Sequence, residues 1–399
     1  MPASDPAALR RLARVEAIHV RVPFRRPLLD ATGEYTHRRS WLLRVVDEDG
    51  NEGLGEAALN PIASDVAAGA LARLVREIAP GLAVGRLPSW PELAAEGEPG
   101  RAAMAAVDGA IAALAAARNA GDGVAGDAAH ADPASIPVCA TISFGGPDAG
   151  ADAASQAVEL GFETLKLRAG FERTTDQLVD RLRALRAAVG PEPRLRIDGA
   201  GAWDLETAVE RIAGIEPFRI EYVEQPLAAW DVTGHAALRE RVRVPIALDE
   251  SIDSEGAARA ALAERAADVV VVKPARVGGL AATMRIVEAA AAAGVSVVLG
   301  TYFETGVGIA AVLRIGAAMR AGAPAGARAG GRATGRAVEG EVGLEPAHGL
   351  ATAGLLVHDL LAVPLSIDKG RMAVPAAVTL DESEVDRYTL ERFEAQPTR

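Results

Sequence analysis

Short apolar runs alternate with longer amphipathic segments over most of the chain after residue 137. The runs PVCATI, TLKLR, RLRID, IEYVEQP, PIALDE, VVVVKPA and VSVVLG begin roughly 25–30 residues apart. Segments such as DQLVDRLRALRAAVG and MRIVEAAAAAG lie between them and have the apolar spacing of helices. Consecutive strand–helix units predict a parallel α/β fold. No glycine-rich phosphate turn follows the first strand, which favours a closed barrel over an open sheet.

The first third of the chain has a different pattern. Residues 15–59 contain two β-like stretches, VEAIHVRVPF and SWLLRVVDEDGNEGLGEAAL, the second interrupted by an Asp-Gly-Asn turn. Residues 62–122 are rich in alanine and predict helices. The polar segment GDAAHADPASI then predicts a linker before the strand–helix series begins.

Composition narrows the choice of partners and compartment. The net charge of −12 argues against nucleic acid. Cys139 is the single cysteine and has apolar neighbours, which predicts a buried strand residue in a reducing compartment rather than a nucleophile. We find neither a leader-like N-terminus nor about 18 consecutive apolar residues, so we expect a cytoplasmic protein without membrane contact. The Gly/Ala/Arg-rich residues 321–341 favour a surface loop over a nucleic-acid-binding tail.

Charged residues stand where the predicted strands end. Two cations occur first, three successive strands then end in acids, and another cation follows; the set is Lys166, Arg168, Asp198, Glu224, Asp249 with Glu250, and Lys273. Strand ends of a parallel barrel converge at one mouth, so three carboxylates would meet there. They repel one another unless a cation joins them, and oxygen ligands without His or Cys suit Mg²⁺. The alternative is that these acids only form salt bridges with the neighbouring Lys and Arg.

Lys273 follows four valines and would enter the barrel mouth at a strand end. Opposite a metal, such a lysine could take a proton α to a carboxylate while Mg²⁺ stabilises the enediolate. A weaker alternative is an unrelated barrel aldolase in which Lys273 forms a Schiff base.

The motifs LKLR, RIDGAGAWD, EYVEQPL, PIALDES and VVVVKPARVGG, with GNEGLGEAAL nearer the N-terminus, resemble the enolase superfamily and its muconate-lactonizing subgroup. VVLGTYFETGVGIAAVLRIGAAM and RRPLLDATGEYTHRRSWLLRV look most like o-succinylbenzoate synthase. The resemblance implies a (β/α)7β TIM-like barrel with an α+β capping domain. It implies an N-terminal cap over residues 1–133, a catalytic barrel over 134–345 and a C-terminal segment, 346–399, completing both. It also implies that Asp198, Glu224 and Asp249 hold Mg²⁺ and that Lys273 faces the metal across the substrate.

Two positions depart from the family pattern. Relatives have Lys-x-Lys where this chain has Lys166 and Arg168, and Asp-x-Asn where it has Asp198 and Ala200. Arg stays protonated, so Arg168 is a poor base but a good partner for a carboxylate or enolate. We hypothesise that the two changes are coupled, because loss of the Asn amide makes room for a guanidinium.

The resemblance implies an Mg²⁺-dependent lyase or isomerase that acts on a small carboxylate substrate through an enediolate. Dehydration of the synthase type is the leading hypothesis, with Lys273 as the base, or Lys166 if the geometry has shifted. The alternatives are a cycloisomerase, an N-acylamino acid or dipeptide racemase-epimerase, and a non-catalytic relative that binds a metal and a carboxylate. Glu304 is expected near the substrate, and Tyr35 and Arg38 in a capping loop over it. Homo-oligomerisation is left open.

Overall fold

The structure is a computed structural model that describes residues 12–30, 33–121, 134–142, 146–322 and 345–396. Its strands are β1 Leu12–Asp30, β2 Gly33–Asp47, β3 Glu52–Ala58, β4 Ser135–Pro137, β5 Ala140–Ile142, β6 Thr164–Arg168, β7 Arg194–Asp198, β8 Ile220–Glu224, β9 Ile246–Leu248, β10 Val269–Val272, β11 Ser296–Leu299, β12 Ile367–Asp368, β13 Arg371–Ala373 and β14 Thr389–Ala395. Its helices are α1 Asp65–Ala83, α2 Trp90–Ala95, α3 Glu98–Gly121, α4 Pro147–Glu159, α5 Thr175–Val189, α6 Leu205–Ile215, α7 Val232–Arg241, α8 Glu255–Ala263, α9 Pro274–Val277, α10 Leu280–Ala293, α11 Gly306–Gly322 and α12 Glu382–Tyr388. Most of the low-complexity segment 321–341 and of the predicted linker lies outside the described residues.

Strands β5 to β11 form one parallel sheet in sequential order, with helices between successive strands. Two residues close this sheet into a barrel. His348 forms a parallel bridge with Val138 before β5, and Gly349 forms one with Gly300 after β11. The His348 N–H donates to the Pro137 carbonyl at 2.8 Å, and the Gly349 N–H donates to the Leu299 carbonyl at 2.8 Å. The chain therefore folds as the predicted TIM-like barrel, in which His348 and Gly349 take the place of the eighth strand.

A separate antiparallel sheet has the order β14-β1-β2-β3, so the C-terminal strand joins strands from the start of the chain. One face of this sheet packs on α1 and α3 through residues such as Val15, Trp41, Leu74 and Leu114. The other face packs on the segment near Leu356 and Leu360. This α+β unit contacts the barrel through α3 and β3, which lie against α9, α10 and α11.

Helix α3 is long and apolar enough, over Glu98–Asn119, to cross a membrane by length and composition alone. Just over half of this stretch is buried inside the protein. Its Ala102, Val107, Ala110 and Leu114 belong to the core shared with the antiparallel sheet. A core helix of this kind passes the same test, so the finding gives no support for a membrane segment.

Cys139 lies between β4 and β5 and is 2% exposed. Burial raises the pKa of its thiol, and this favours the unreactive protonated form. The prediction of a buried, structural cysteine is therefore correct.

Candidate active site

Alternation along the barrel strands directs one set of side chains inward. Tyr222, Ala247, Val269, Val271 and Val298 form a small apolar cluster of their own, apart from the main core between the sheet and the helices. Glu224, Asp249 and Lys273 stand two residues after Tyr222, Ala247 and Val271 and therefore point inward as well. The apolar cluster is thus the floor of a polar site at the C-terminal ends of the strands.

The register of the sheet places three charged side chains side by side. Arg168 pairs with Asp198 across β6 and β7, and Asp198 pairs with Glu224 across β7 and β8. The ammonium group of Lys166 lies between the two acids, with its Nζ 2.9 Å from Glu224 Oε1 and 3.2 Å from Asp198 Oδ2. Arg168 Nη1 also donates to Asp198 Oδ2, at 3.1 Å. The two cations that alternate on β6 therefore face the acids of the next two strands.

A second group lies on β9 and β10. Asp249 follows β9 directly, and its Oδ2 accepts a hydrogen bond from Lys273 Nζ at 2.6 Å. Its Oδ1 accepts one from Arg276 Nη1 at 2.8 Å. Three strands, β7, β8 and β9, separate Lys166 from Lys273 in the sheet order, and one of the three acids stands at the end of each. Cations thus flank the acids on both sides of the barrel mouth.

Burial and pairing move the pKa values of this cluster in different directions. Burial alone would raise the pKa of both aspartates. Lys166 and Arg168 instead hold the pKa of Asp198 below its ordinary value. Lys273 and Arg276 do the same for Asp249. Burial raises the pKa of Glu224 despite Lys166. For Lys166 itself burial acts to lower the pKa, and the Asp198 and Glu224 carboxylates outweigh it and raise the value.

The donor set fits Mg²⁺ in its chemistry. The three predicted ligands are hard carboxylates on neighbouring strand ends, and each is at most 3% exposed. Glu250 adds a fourth carboxylate, whose Oε2 is buried without a hydrogen-bond partner among the described residues. Within that part of the chain, however, no three His, Cys, Asp or Glu side chains are grouped ready to hold a metal ion. In this arrangement Lys166 is paired with Asp198 and Glu224, and Lys273 with Asp249, as the salt-bridge alternative expects.

Gln225 links the residues that follow β8 to the residues that follow β9. Gln225, in EQP, accepts hydrogen bonds through Oε1 from the N–H groups of Asp249 and Ser251, at 2.9 and 3.2 Å. Its amide nitrogen donates to Ser251 Oγ at 2.9 Å. Gln225 holds this position with a φ of 39°, in the left-handed region that is costly for non-glycine residues. It ties the end of β8 to the segment that carries Asp249.

Ala200, the second departure from the family pattern, lies beside Asp198. Its N–H donates to Asp198 Oδ1 at 3.1 Å, and Arg168 approaches the other oxygen of the same carboxylate. Ala200 has a φ of 48°, a conformation that Asn adopts more readily than Ala. Both departures therefore meet at one carboxylate, which is compatible with the coupling hypothesis without testing it.

Glu304 lies in the loop after β11 and is 2% exposed. One of its carboxylate oxygens accepts a hydrogen bond from the Tyr302 N–H. Burial raises the pKa of Glu304 to about 7, and the nearby carboxylate of Glu56 acts in the same direction. Gly308 makes room for this pair, because a Cβ at that position would lie 2.6 Å from the Cβ of Glu304.

The predicted loop placement of Tyr35 and Arg38 is wrong. Both lie in β2, and they are 7% and 1% exposed. Arg38 Nη1 donates to the Leu59 carbonyl at 2.6 Å, while Nε and Nη2 have no hydrogen-bond partner among the described residues. The loop was expected because relatives use this stretch as a capping loop, but here it pairs with β1 as a strand, and Tyr35 lies in the buried cluster that includes Val20 and Leu42. A role for either residue in substrate binding stays a prediction.

The sequence did not single out several residues that support the site: Glu56, Gln225, Arg276 and Tyr302. Arg276 had a signal, since it stands three residues after Lys273 and so lies one helical turn away. Gln225 stands directly after Glu224. Glu56 and Tyr302 reach the site through contacts between distant parts of the chain, which local patterns do not reveal.

The site can be compared with proteins of known name. The profile of the family described as Enolase C-terminal domain-like matches residues 149–383, more than half of the chain. An o-succinylbenzoate synthase of Thermobifida fusca is 43% identical over 187 residues, which cover 46% of this chain and 56% of that protein. A chloromuconate cycloisomerase of Cupriavidus pinatubonensis is 27% identical over 390 residues, covering 95% of this chain and 99% of that protein.

Other relatives are named as L-Ala-D/L-Glu epimerase and N-succinylamino acid racemase. The chain matches only about half the length of the synthase and of the L-Ala-D/L-Glu epimerase. Among solved structures, a dipeptide epimerase of Cytophaga hutchinsonii, complexed with Mg and a dipeptide, has a TM-score of 0.74. It is 21% identical and covers 96% of this chain and 100% of that one, a likeness that shows the fold. By fold and by family profile, the chain belongs to the Enolase C-terminal domain-like family of the enolase superfamily.

Proposed function

We propose that the protein is an Mg²⁺-dependent enzyme that abstracts a proton α to a carboxylate, most like the dehydration that o-succinylbenzoate synthase performs. The observation that carries the proposal is the cluster at the barrel mouth, where three acids on successive strands are flanked by Lys166 and Lys273. The relatives named as synthase, cycloisomerase, racemase and epimerase support the class of enzyme and leave its reaction open.

Charge supports a carboxylate substrate. The four buried or part-buried acids of the mouth are matched by four cations: Asp198, Glu224, Asp249 and Glu250 against Lys166, Arg168, Lys273 and Arg276. A divalent cation held by these acids leaves two positive charges unbalanced, and an anionic substrate offsets them. When bound, Mg²⁺ supplies charge stabilisation to the enolised carboxylate of the substrate.

The roles we assign to the residues follow from their positions. Asp198, Glu224 and Asp249 would hold Mg²⁺, which requires the ammonium groups of Lys166 and Lys273 to leave their oxygens. Lys273 would accept the α-proton at Nζ on one face of the substrate and then donate it to the departing hydroxyl on the same face, which leaves as water. Arg168 would remain protonated on the other face and donate hydrogen bonds to a carboxylate or to the developing enolate.

This asymmetry favours a reaction that needs one base. A racemase or epimerase needs a proton donor and acceptor on each face of the α-carbon, and Arg168 is a poor candidate for the second. Several relatives are nevertheless named as racemases and epimerases, so racemisation is the second candidate. It would require Lys166 to serve as the base on the face of β6.

The experiment is a substrate screen with MgCl2. The purified protein is incubated with the cyclohexadiene substrate of the synthase, with N-succinyl amino acids, with dipeptides and with muconate, and products are followed by absorbance and chiral chromatography. The proposal expects dehydration of the cyclohexadiene and little interconversion of stereoisomers. Efficient racemisation without dehydration would favour the second candidate. Metal binding without turnover of any of these acids would instead favour the non-catalytic relative.

A further inference from the structure

Arg276 holds Asp249 at two points. It lies in α9, one turn after Lys273, and is 5% exposed. Its Nη1 donates to the Asp249 carboxylate at 2.8 Å and to the Asp249 main-chain carbonyl at 2.6 Å. The same guanidinium thus fixes the backbone that carries Asp249 and one of the two oxygens of its side chain, which leaves Oδ2 facing Lys273.

Tyr302 fixes the other end of the Arg276 side chain. Arg276 Nε donates to the Tyr302 phenolic oxygen at 2.5 Å. The centre of the Tyr302 ring lies 4.8 Å from the Arg276 guanidinium carbon and 5.3 Å from Lys273 Nζ. Both distances are within the range of cation–π contacts. Burial raises the pKa of Tyr302 to about 12, so the phenol is a neutral acceptor for Arg276 at neutral pH.

The antiparallel-sheet unit contacts this pair directly. Arg101 of α3 donates through Nε to the Arg276 carbonyl at 2.8 Å. Ala58, at the end of β3, packs with Ala275 and Tyr302 in a small buried cluster. Two distant parts of the chain therefore contact Arg276: α3 binds its main-chain carbonyl, and the loop after β11 binds its side chain.

We propose that Arg276 is a positioning residue for the metal site, held in place by Tyr302 and by Arg101. It orients the Asp249 carboxylate by engaging Oδ1 and so determines where Oδ2 is presented. This inference rests on the proposed function, since it assumes that Asp249 is a metal ligand. Its chemistry needs the planar fork of arginine, because one side chain must donate to Asp249 and to Tyr302 at the same time.

The test measures metal affinity, without substrate, by calorimetric titration with MgCl2 and by the electron paramagnetic resonance spectrum of bound Mn²⁺. Loss of a residue that orients a metal ligand typically weakens affinity by about 10–100-fold. We expect Arg276→Met to fall in this range and Arg276→Lys to recover little of the loss. Tyr302→Phe, which keeps the ring but removes the acceptor, should also weaken affinity, but less than Arg276→Met does, because the guanidinium of Arg276 still reaches Asp249. The matched controls are Arg259→Met on the surface of α8 and Tyr388→Phe at the end of α12, and both should bind metal as the wild type does.

Each result decides between two accounts. Unchanged affinity and an unchanged Mn²⁺ spectrum in Arg276→Met would overturn the positioning role while leaving the proposed function in place. Full rescue by Arg276→Lys would also overturn it, because charge alone would then suffice. If the wild type binds neither ion, the proposed function and this inference both fail. If Arg276→Met does not fold, as judged by circular dichroism, Tyr302→Phe decides, and wild-type affinity in that variant rejects the proposal.

Discussion

The free energy of unfolding of the protein should decrease as the pH rises, because Glu304 is buried. Burial, with Glu56 acting in the same direction, raises the pKa of Glu304 from 4.5 to about 7. Between these values the unfolded chain has released its proton while the folded protein retains it, so the free energy of unfolding decreases as the pH rises. This decrease in the free energy of unfolding begins at about pH 4.5 and is complete above about pH 7. A difference of roughly 2.5 pH units corresponds to about 3 kcal/mol.

Glu304→Gln separates this effect from other titrations. A glutamine is neutral at every pH and can still accept the hydrogen bond of the Tyr302 N–H through its carbonyl oxygen. We therefore expect the variant to gain about 3 kcal/mol relative to the wild type between pH 4.5 and pH 8. Most of the gain should appear between pH 5 and 7. The measurement is urea unfolding followed by tryptophan fluorescence at several pH values.

The control is Glu77→Gln, since Glu77 is an exposed helix residue paired with Arg73. Its stability relative to the wild type should vary by no more than about 0.5 kcal/mol over the same range. Parallel stability curves for Glu304→Gln and the wild type would refute the reasoning. They would mean that Glu304 ionises at an ordinary pKa, with Arg38 compensating fully for burial.

Three further predictions concern the departures from the family pattern and the contact between the two units. Arg168→Lys supplies a second base, so chiral chromatography should detect new interconversion of N-succinyl amino acid stereoisomers, whereas an unchanged enantiomer ratio would count against the assigned faces. If Arg168 and Ala200 are coupled, Ala200→Asn should destabilise the wild type more than it destabilises Arg168→Lys, by about 0.5–3 kcal/mol in a double-mutant cycle of urea unfolding; additive effects would exclude the coupling. Glu56→Gln should cost about 2–4 kcal/mol, because the Glu56 carboxylate accepts hydrogen bonds from the Thr305 hydroxyl at 2.7 Å and the Gly308 N–H at 3.0 Å; a cost equal to that of Glu77→Gln would contradict this.

The barrel could be predicted from the sequence because its strands are short and regular. Each of the seven apolar runs contains a barrel strand, and the acids stand at their C-terminal ends as expected. Period-2 alternation alone places Lys166 and Arg168 on one face of β6. What pattern could not show is the partner of each charge, for example that Lys166 joins Asp198 to Glu224.

The support of the site depends on contacts between distant segments. Arg276 reaches Tyr302 across 26 residues, and Glu56 reaches Thr305 across 249. The burial of Arg38 has the same origin, since Glu304, in the loop after β11, is close enough to act on the pKa of its guanidinium. Local periodicity gives the faces of an element, but it does not say which surface will cover them. For that reason the strand-end acids were found and the residues that hold them were not.

Proton exchange in D2O is the measurement that tests the central claim most directly. The wild type, the Lys273→Ala variant and the Arg259→Met control are incubated with MgCl2 and a carboxylate that the wild type turns over. Loss of the α-proton signal is followed by nuclear magnetic resonance. Removing a general base typically slows the reaction by about 10²–10⁴-fold, so we predict exchange in the wild type and the control and almost none in Lys273→Ala. Exchange at the wild-type rate in a folded Lys273→Ala protein would contradict the assignment of Lys273 as the base.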